Sequence, residues 1–354
     1  MGVYEKRLLG LSVMICVLGL AGMGPLTRQV AGLDATQTDP TARRQAVAGP
    51  DDALPERFLV TYQGFSLLGP DGEQKERLDS ITNGAGAFSP DGRWVAFSRY
   101  EPNPPPGERP GRLVIQSRVR PEDHTTVPLV WGTTGSSFLP LWSSDSLRIL
   151  ICEQGFNEDR SRRSAYRVYD LATKDLTPLR LPEAWWPSDW AADGKRLLTS
   201  LRAGNGSLRV AWVRIDGTGE PEFLTSDQEM AYGAKLSPDN RRVLCMVGPK
   251  VPEDQENRMR LYAIDLATRQ RTMIDRPGHT HGYCWSSDGL KVAYTWQLPI
   301  RDPLARVERK TYLITCDPDG DNRKTITMRR YEVPPDSTNR AGVIIFFRVL
   351  AWWR

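Results

Sequence analysis

The chain has 354 residues, 40% of them apolar, with 47 basic and 43 acidic side chains and a formal charge of +4. That apolar share supports one large core or two ordinary ones, and acids and bases are interspersed without a basic stripe, which argues against a nucleic-acid surface. The 30 glycines and 27 prolines suit a turn-rich β protein.

Met1–Met23 carries a short basic start, MGVYEKR, followed by about sixteen mostly apolar residues. This is the pattern of a secretory signal peptide, and the run is shorter than the roughly twenty residues a membrane span needs. Cleavage after Ala21 is expected, with retention as a membrane anchor the alternative. Cys16 follows Met14-Ile15 and lacks the small preceding residue of a lipoprotein signal. Residues 24–56 are polar, without a sustained apolar period, and read as a flexible tether.

From Arg57 onward the pattern is that of short strands. Ala87–Ser98 reads AFSPDGRWVAFS: an apolar strand, a Ser-Pro-Asp-Gly hairpin turn, and a second apolar strand. The unit returns at Leu141–Ile151, Asp189–Thr199, Lys235–Cys245 and Cys284–Tyr294. The turn aspartates Asp91, Asp145, Asp193, Asp239 and Asp288 are spaced by 54, 48, 46 and 49 residues, in the range of propeller blades. After each hairpin come a third strand, such as LYAIDLAT (Leu261–Thr268), and a fourth, more polar one, such as DNRKTITM (Asp321–Met328). Each repeat is a four-stranded meander a-b-c-d with its inner strands apolar on both faces. Five repeats carry the hairpin, Arg57–Ser80 supplies only b, c and d, and Ala341–Arg354 is one apolar strand without a partner of its own. If that strand is a of the first blade, residues 57–354 close into an all-β, six-bladed β-propeller with no open edge.

SPDGRWVAF, WSSDSLRILI and LYAIDLAT resemble the TolB-like, or WD-like, β-propeller repeat of bacterial envelope proteins, over Arg57–Arg354. Three turns depart from the pattern: Ser144 and Ser287 stand where Pro is common, and Ala191-Ala192 replace Ser and Pro. The resemblance implies a periplasmic or extracellular protein with an envelope protein, peptide or glycan as partner. Relatives of the repeat also form the lid of prolyl-oligopeptidase-type enzymes. No GxSxG and no α/β-hydrolase region follow here, so that role is not expected.

In a propeller the d-to-a and b-to-c connections share one face, at the mouth of the central channel. The d-to-a segments are Asn83–Gly86, Gly135–Phe138, Pro182–Trp186, Met230–Gly233 and Pro277–Gly282; they bring Phe138, Trp185, Trp186, Tyr232, His279 and His281 to one rim. The long charged b-to-c loops (Tyr100–Gly111, Glu153–Arg163, Gly248–Arg258, Gln297–Arg309) lie on the same face, where binding residues usually sit. The plainer alternative is that the aromatics only plug the channel. His279 and His281 are weak metal candidates: propeller polysaccharide lyases resemble this arrangement, but sequence places no third ligand. His124 is expected on the opposite face. Asp317–Asn322 imitates the start of a calcium loop but has Met328 at the twelfth position, so it reads as a c–d turn. Asn103–Pro106 reads as a stiffener of its loop.

Cys152, Cys245, Cys284 and Cys316 fall on strands of different repeats, leaving buried thiols and bridges both open, and no CxxC is present. The reading as a whole is an exported, non-catalytic, monomeric binding propeller with no cofactor and no nucleic-acid partner. It meets a membrane only if the leader is retained. The alternative is a metal-dependent carbohydrate lyase or hydrolase using His279 and His281.

Overall fold

One serine hydroxyl organises most of the hairpins. Ser89 Oγ donates to Asp91 Oδ1 at 2.5 Å and accepts the Trp94 N–H at 3.0 Å, so the side chain closes the turn that the backbone opens. The same pair of bonds recurs at Ser143, Ser237 and Ser286. In the fourth blade Ala191 has no hydroxyl; there Asp193 takes the N–H groups of Lys195 and Arg196 and the Arg196 guanidinium. The departure from the repeat therefore costs the turn its serine bonds but not its shape.

The structure is a computed structural model that describes residues 55–61, 64–79, 86–100, 103, 111–130, 137–156, 162–182, 185–202, 207–249, 259–297, 308–332 and 348–353. All belong to one compact unit, Leu54–Pro335 with Ile345–Arg354. The leader, the tether and most of the b-to-c loops read from the sequence lie outside the described residues.

The described chain forms six four-stranded antiparallel sheets. The first blade holds β1 (Arg57–Thr61), β2 (Phe65–Leu68) and β3 (Gln74–Asp79). The second holds β4 (Gly86–Phe88), β5 (Trp94–Tyr100), β6 (Gly111–Ser117) and β7 (His124–Pro128), and the third β8 (Ser137–Trp142), β9 (Arg148–Phe156), β10 (Arg162–Asp170) and β11 (Leu176–Leu179). The fourth holds β12 (Trp185–Trp190), β13 (Arg196–Arg202), β14 (Leu208–Arg214) and β15 (Glu222–Phe223); the fifth β16 (Glu229–Leu236), β17 (Arg242–Pro249), β18 (Arg260–Asp265) and β19 (Arg271–Met273). The sixth holds β20 (His279–Trp285), β21 (Val292–Gln297), β22 (Glu308–Cys316) and β23 (Lys324–Glu332). The last strand, β24 (Arg348–Trp353), pairs antiparallel with β1 and completes the first blade in the order β24-β1-β2-β3. The ring is closed by its C-terminal strand, as the unpartnered apolar run predicts.

The core is six seams, each between neighbouring blades. Ile149 and Ile151 pack with Leu113 and Ile115 of the second blade, while the alternate residues Leu150 and Cys152 pack with Leu197 and Ala211 of the fourth. Successive side chains of a strand point to opposite faces, so a strand between two sheets is apolar at every position it buries between them, as Ile149–Cys152 (ILIC) is. Closure works the same way: Trp352 stacks on Phe58 at 4.8 Å in the seam with the sixth blade. Gly92 (φ 71°) gives the second blade's turn its left-handed residue, and a Cβ there would lie 2.3 Å from the Trp353 ring. The four cysteines are buried free thiols rather than bridges.

Two sequence readings are corrected. The inner strands start earlier than expected: residues 137–138, 185–186, 230–233 and 279–282 belong to β8, β12, β16 and β20 and are not loop. β9 and β10 also run on, leaving 157–161 between them where a connection from Glu153 to Arg163 was expected.

Candidate functional site

Every blade is a meander from inner to outer strand, so all inner strands begin at the same face of the ring. The candidate residues stand at or near those beginnings, on strand rather than on loop. Trp185 and Trp186 open β12 and both are half-buried. Being adjacent, they face opposite seams: Trp185 packs against the cluster of Leu141, Leu150 and Tyr166, and Trp186 against that of Met230 and Leu244. The Tyr166 hydroxyl donates to the Trp185 carbonyl at 2.6 Å and fixes the strand's entry. Tyr232, also half-buried, packs on the same cluster as Trp186. Phe138 falls on β8 opposite Glu153, but its side chain is outside the described ones.

Three consecutive inner strands are bulged here, with register shifts at Pro187/Asp189, Tyr232/Lys235 and Thr280/Gly282. A bulge re-aims the side chains beside it. In β16 it includes Gly233 (φ 70°), whose missing Cβ makes room for the Tyr283 hydroxyl, which donates to the Gly233 carbonyl at 2.6 Å. In β20 the extra residue is His281.

The His279 and His281 rings lie nearly parallel, 12° apart, with centroids at 6.2 Å. His281 Nε2 is 3.0 Å from Gln297 Oε1. Between the two histidines, the Thr280 hydroxyl donates to Asp275 Oδ2 at 2.7 Å. Asp275 is 1% exposed, its other carboxylate oxygen has no hydrogen-bond partner, and burial pushes its carboxyl up to about 6. Among the described residues no three His, Cys, Asp or Glu side chains come together as a metal cluster. A pair of imidazoles alone is short of the three protein ligands of a catalytic zinc site.

Deeper along the inner strands, the position two before each hairpin turn carries charge in adjacent blades, Asp189 on β12 and Lys235 on β16. Burial holds Asp189 above the usual carboxylate range, opposed by the Lys235 ammonium and by the N–H groups of Leu236 and Trp190. Arg348 opens β24, where burial lowers its pKa. Sequence reasoning missed Asp189, Lys235, Asp275, Gln297 and Arg348. Only the first two carried a signal, a charge on a strand otherwise apolar on both faces. The remaining sequence expectations lie on the other face. His124 begins β7 with Nδ1 3.1 Å from the Glu122 carbonyl. Asp317–Asn322 is a turn in which Gly320 N–H reaches the Asp317 carbonyl at 2.9 Å and Asp317 pairs with Lys291.

No protein-family model matches the sequence, and no curated protein does. Solved structures do match. TolB from Acinetobacter baumannii aligns with a TM-score of 0.57 at 16% identity, over 84% of this chain and 66% of that one. A provisional TolB from Agrobacterium tumefaciens aligns at 0.52 and 15% identity, over 79% and 91%. An oligogalacturonate lyase from Vibrio parahaemolyticus aligns at 0.48 and 13%, over 77% and 78%. At such identities the likeness is one of fold: the chain has the six-bladed propeller fold of TolB.

Proposed function

We propose that the chain is an exported, non-catalytic binding propeller that recognises an envelope protein, peptide or glycan at the face where its inner strands begin. The observation that carries this reading is the convergence on one face of half-buried amphipathic side chains from three adjacent blades: Trp185 and Trp186, Tyr232, His279 and His281. Such side chains offer large contact area at small entropic cost and dominate typical interfaces. Residues 1–23 act as the export leader and 24–56 as the tether. The TolB fold supports a binding role without naming the partner.

The lyase reading gains no support from the described site: His281 Nε2 is 3.0 Å from Gln297 Oε1, and among the described residues no third ligand joins the two imidazoles. The test is affinity capture from an envelope extract followed by measured binding of the recovered partner. Trp186→Ala and Tyr232→Ala are expected to weaken binding by more than about 1 kcal/mol where either is an anchor. Asp319→Ala, on the far face, is expected to leave it unchanged. The reverse ranking in folded variants rules out this face.

A further inference from the structure

The face opposite the channel mouth carries more than turns. Between the first and second blades a cleft of about 140 Å³ is lined by Arg57, Arg118, Glu76 and the apolar walls Leu67, Leu78 and Val95. Arg57 begins β1 and Arg118 directly follows β6, so both stand at the end where the a–b and c–d turns gather.

Arg118 is held rigidly. Its guanidinium lies 4.6 Å from the Phe88 ring centroid and 5.9 Å from that of Trp353, and Nη1 and Nη2 donate to the carbonyls of Gly92 (2.7 Å) and Pro55 (3.0 Å). Arg57 Nη1 donates to the Glu56 carbonyl at 2.8 Å. A guanidinium has five N–H donors, so both arginines keep several for another acceptor. Among the described residues neither is in an ion pair; Glu76 is exposed and acts on Arg118 only at longer range. Burial first, and then the nearby Arg57 charge, push Arg118 down to about 10. Two cations lining one cleft repel each other, and an anion between them removes that repulsion.

We propose that this cleft is a binding site for a small oxyanion, a carboxylate or phosphate group, that bridges Arg57 and Arg118. Arg118, pinned between Phe88 and Trp353, presents its donors in a fixed plane suited to such a group. The small apolar surface that Leu67 and Leu78 leave open to the cleft suits a short aliphatic body on the ligand.

The experiment titrates three probes into the full chain at low ionic strength: inorganic phosphate, acetate and 3-methylbutanoate. Heat and the arginine Nε–H resonances are followed. Saturable binding that shifts Arg57 and Arg118 is expected. A stronger response to 3-methylbutanoate than to acetate assigns a carboxylate with an aliphatic tail; a response to phosphate alone assigns a phosphate group. Arg57→Gln is expected to weaken binding at least tenfold, and Glu76→Gln, which removes the opposing charge, to tighten it about threefold. Arg118→Ala risks opening the seam, so Arg57→Gln and Glu76→Gln carry the decision. No saturable binding by any probe to the folded chain, or binding indifferent to Arg57→Gln, overturns the proposal.

Discussion

The carboxylate of Asp189, in the fourth blade, accepts the backbone N–H of Leu236, in the fifth, at 2.7 Å, and the Lys235 ammonium returns a hydrogen bond to the Ser188 carbonyl at 3.1 Å. Two side chains from equivalent positions thus cross between neighbouring inner strands. Asp189 Oδ1 also takes the Trp190 N–H at 2.8 Å, so the carboxylate serves two backbone donors that have little water to turn to.

Asp189→Ala is therefore expected to destabilise the protein by about 1–3 kcal/mol, the usual result of orphaning buried donors. Asp189→Asn, which keeps one acceptor oxygen and loses the charge that burial disfavours, is expected to lose less. Urea denaturation of both variants checks this. Equal losses would assign the effect to attraction between Asp189 and Lys235 and not to the hydrogen bonds.

The repeat itself makes a stabilising prediction. Ala191, 4% exposed, stands where four other turns place the serine that bonds the turn aspartate. Ala191→Ser is expected to add those bonds and raise stability by about 0.5–1.5 kcal/mol, and Ser237→Ala to lower it by a similar amount. Thermal melts of the two variants read the difference. A destabilised Ala191→Ser variant would mean that the Arg196–Asp193 pairing already occupies the turn.

These turns show why the fold was legible. A hairpin closed by a Ser–Asp pair is a local device, and its recurrence at about fifty residues marks five of the six blades without any knowledge of packing; the sixth needs the pairing of the C-terminal strand with β1. The strands that lie between two sheets betray themselves by unbroken apolar runs. The site was legible only in part. Topology places Trp185, Trp186, Tyr232, His279 and His281 towards one rim as candidates, but sequence does not show where an inner strand begins, so it cannot tell that they stand on strand and not on loop. The bulges that aim them and the buried Asp275 depend on neighbouring blades, which no local pattern encodes.

Closure rests on β24. Trp352 stacks on Phe58, and its Nε1 donates to Glu56 Oε1 at 2.9 Å. Deleting residues 343–354 exposes the edge of β1 and opens two seams, and an aggregating or unfolded product is expected. Trp352→Ala, a milder lesion, is expected to lose about 3–5 kcal/mol. A soluble deletion variant that melts cooperatively in scanning calorimetry would show that the other five blades close without it.

Asp275 gives the sharpest dependence on pH. Its carboxyl is raised from 3.8 to about 6, chiefly by burial, against the Thr280 hydroxyl bond, the Leu261 N–H and the Arg260 charge, all of which favour the ionised form. A folded-state value above the unfolded one means that protonation stabilises the fold. The contribution is fully present below about pH 4, declines between about pH 4 and 6, and is gone above that; a shift of about two units corresponds to about 3 kcal/mol. Asp275→Asn cannot ionise, so it is expected to gain on the wild type by about that amount as pH rises from 4 to 7. The measurement is the difference in urea-unfolding free energy between the two proteins across that range, which cancels every group they share. A difference that does not change with pH would mean that Asp275 ionises normally in the fold. The rise, if found, has a consequence at the candidate site. Thr280 ties Asp275 to the strand segment between His279 and His281, so the charge that appears under that segment above pH 6 acts where the two imidazoles are held.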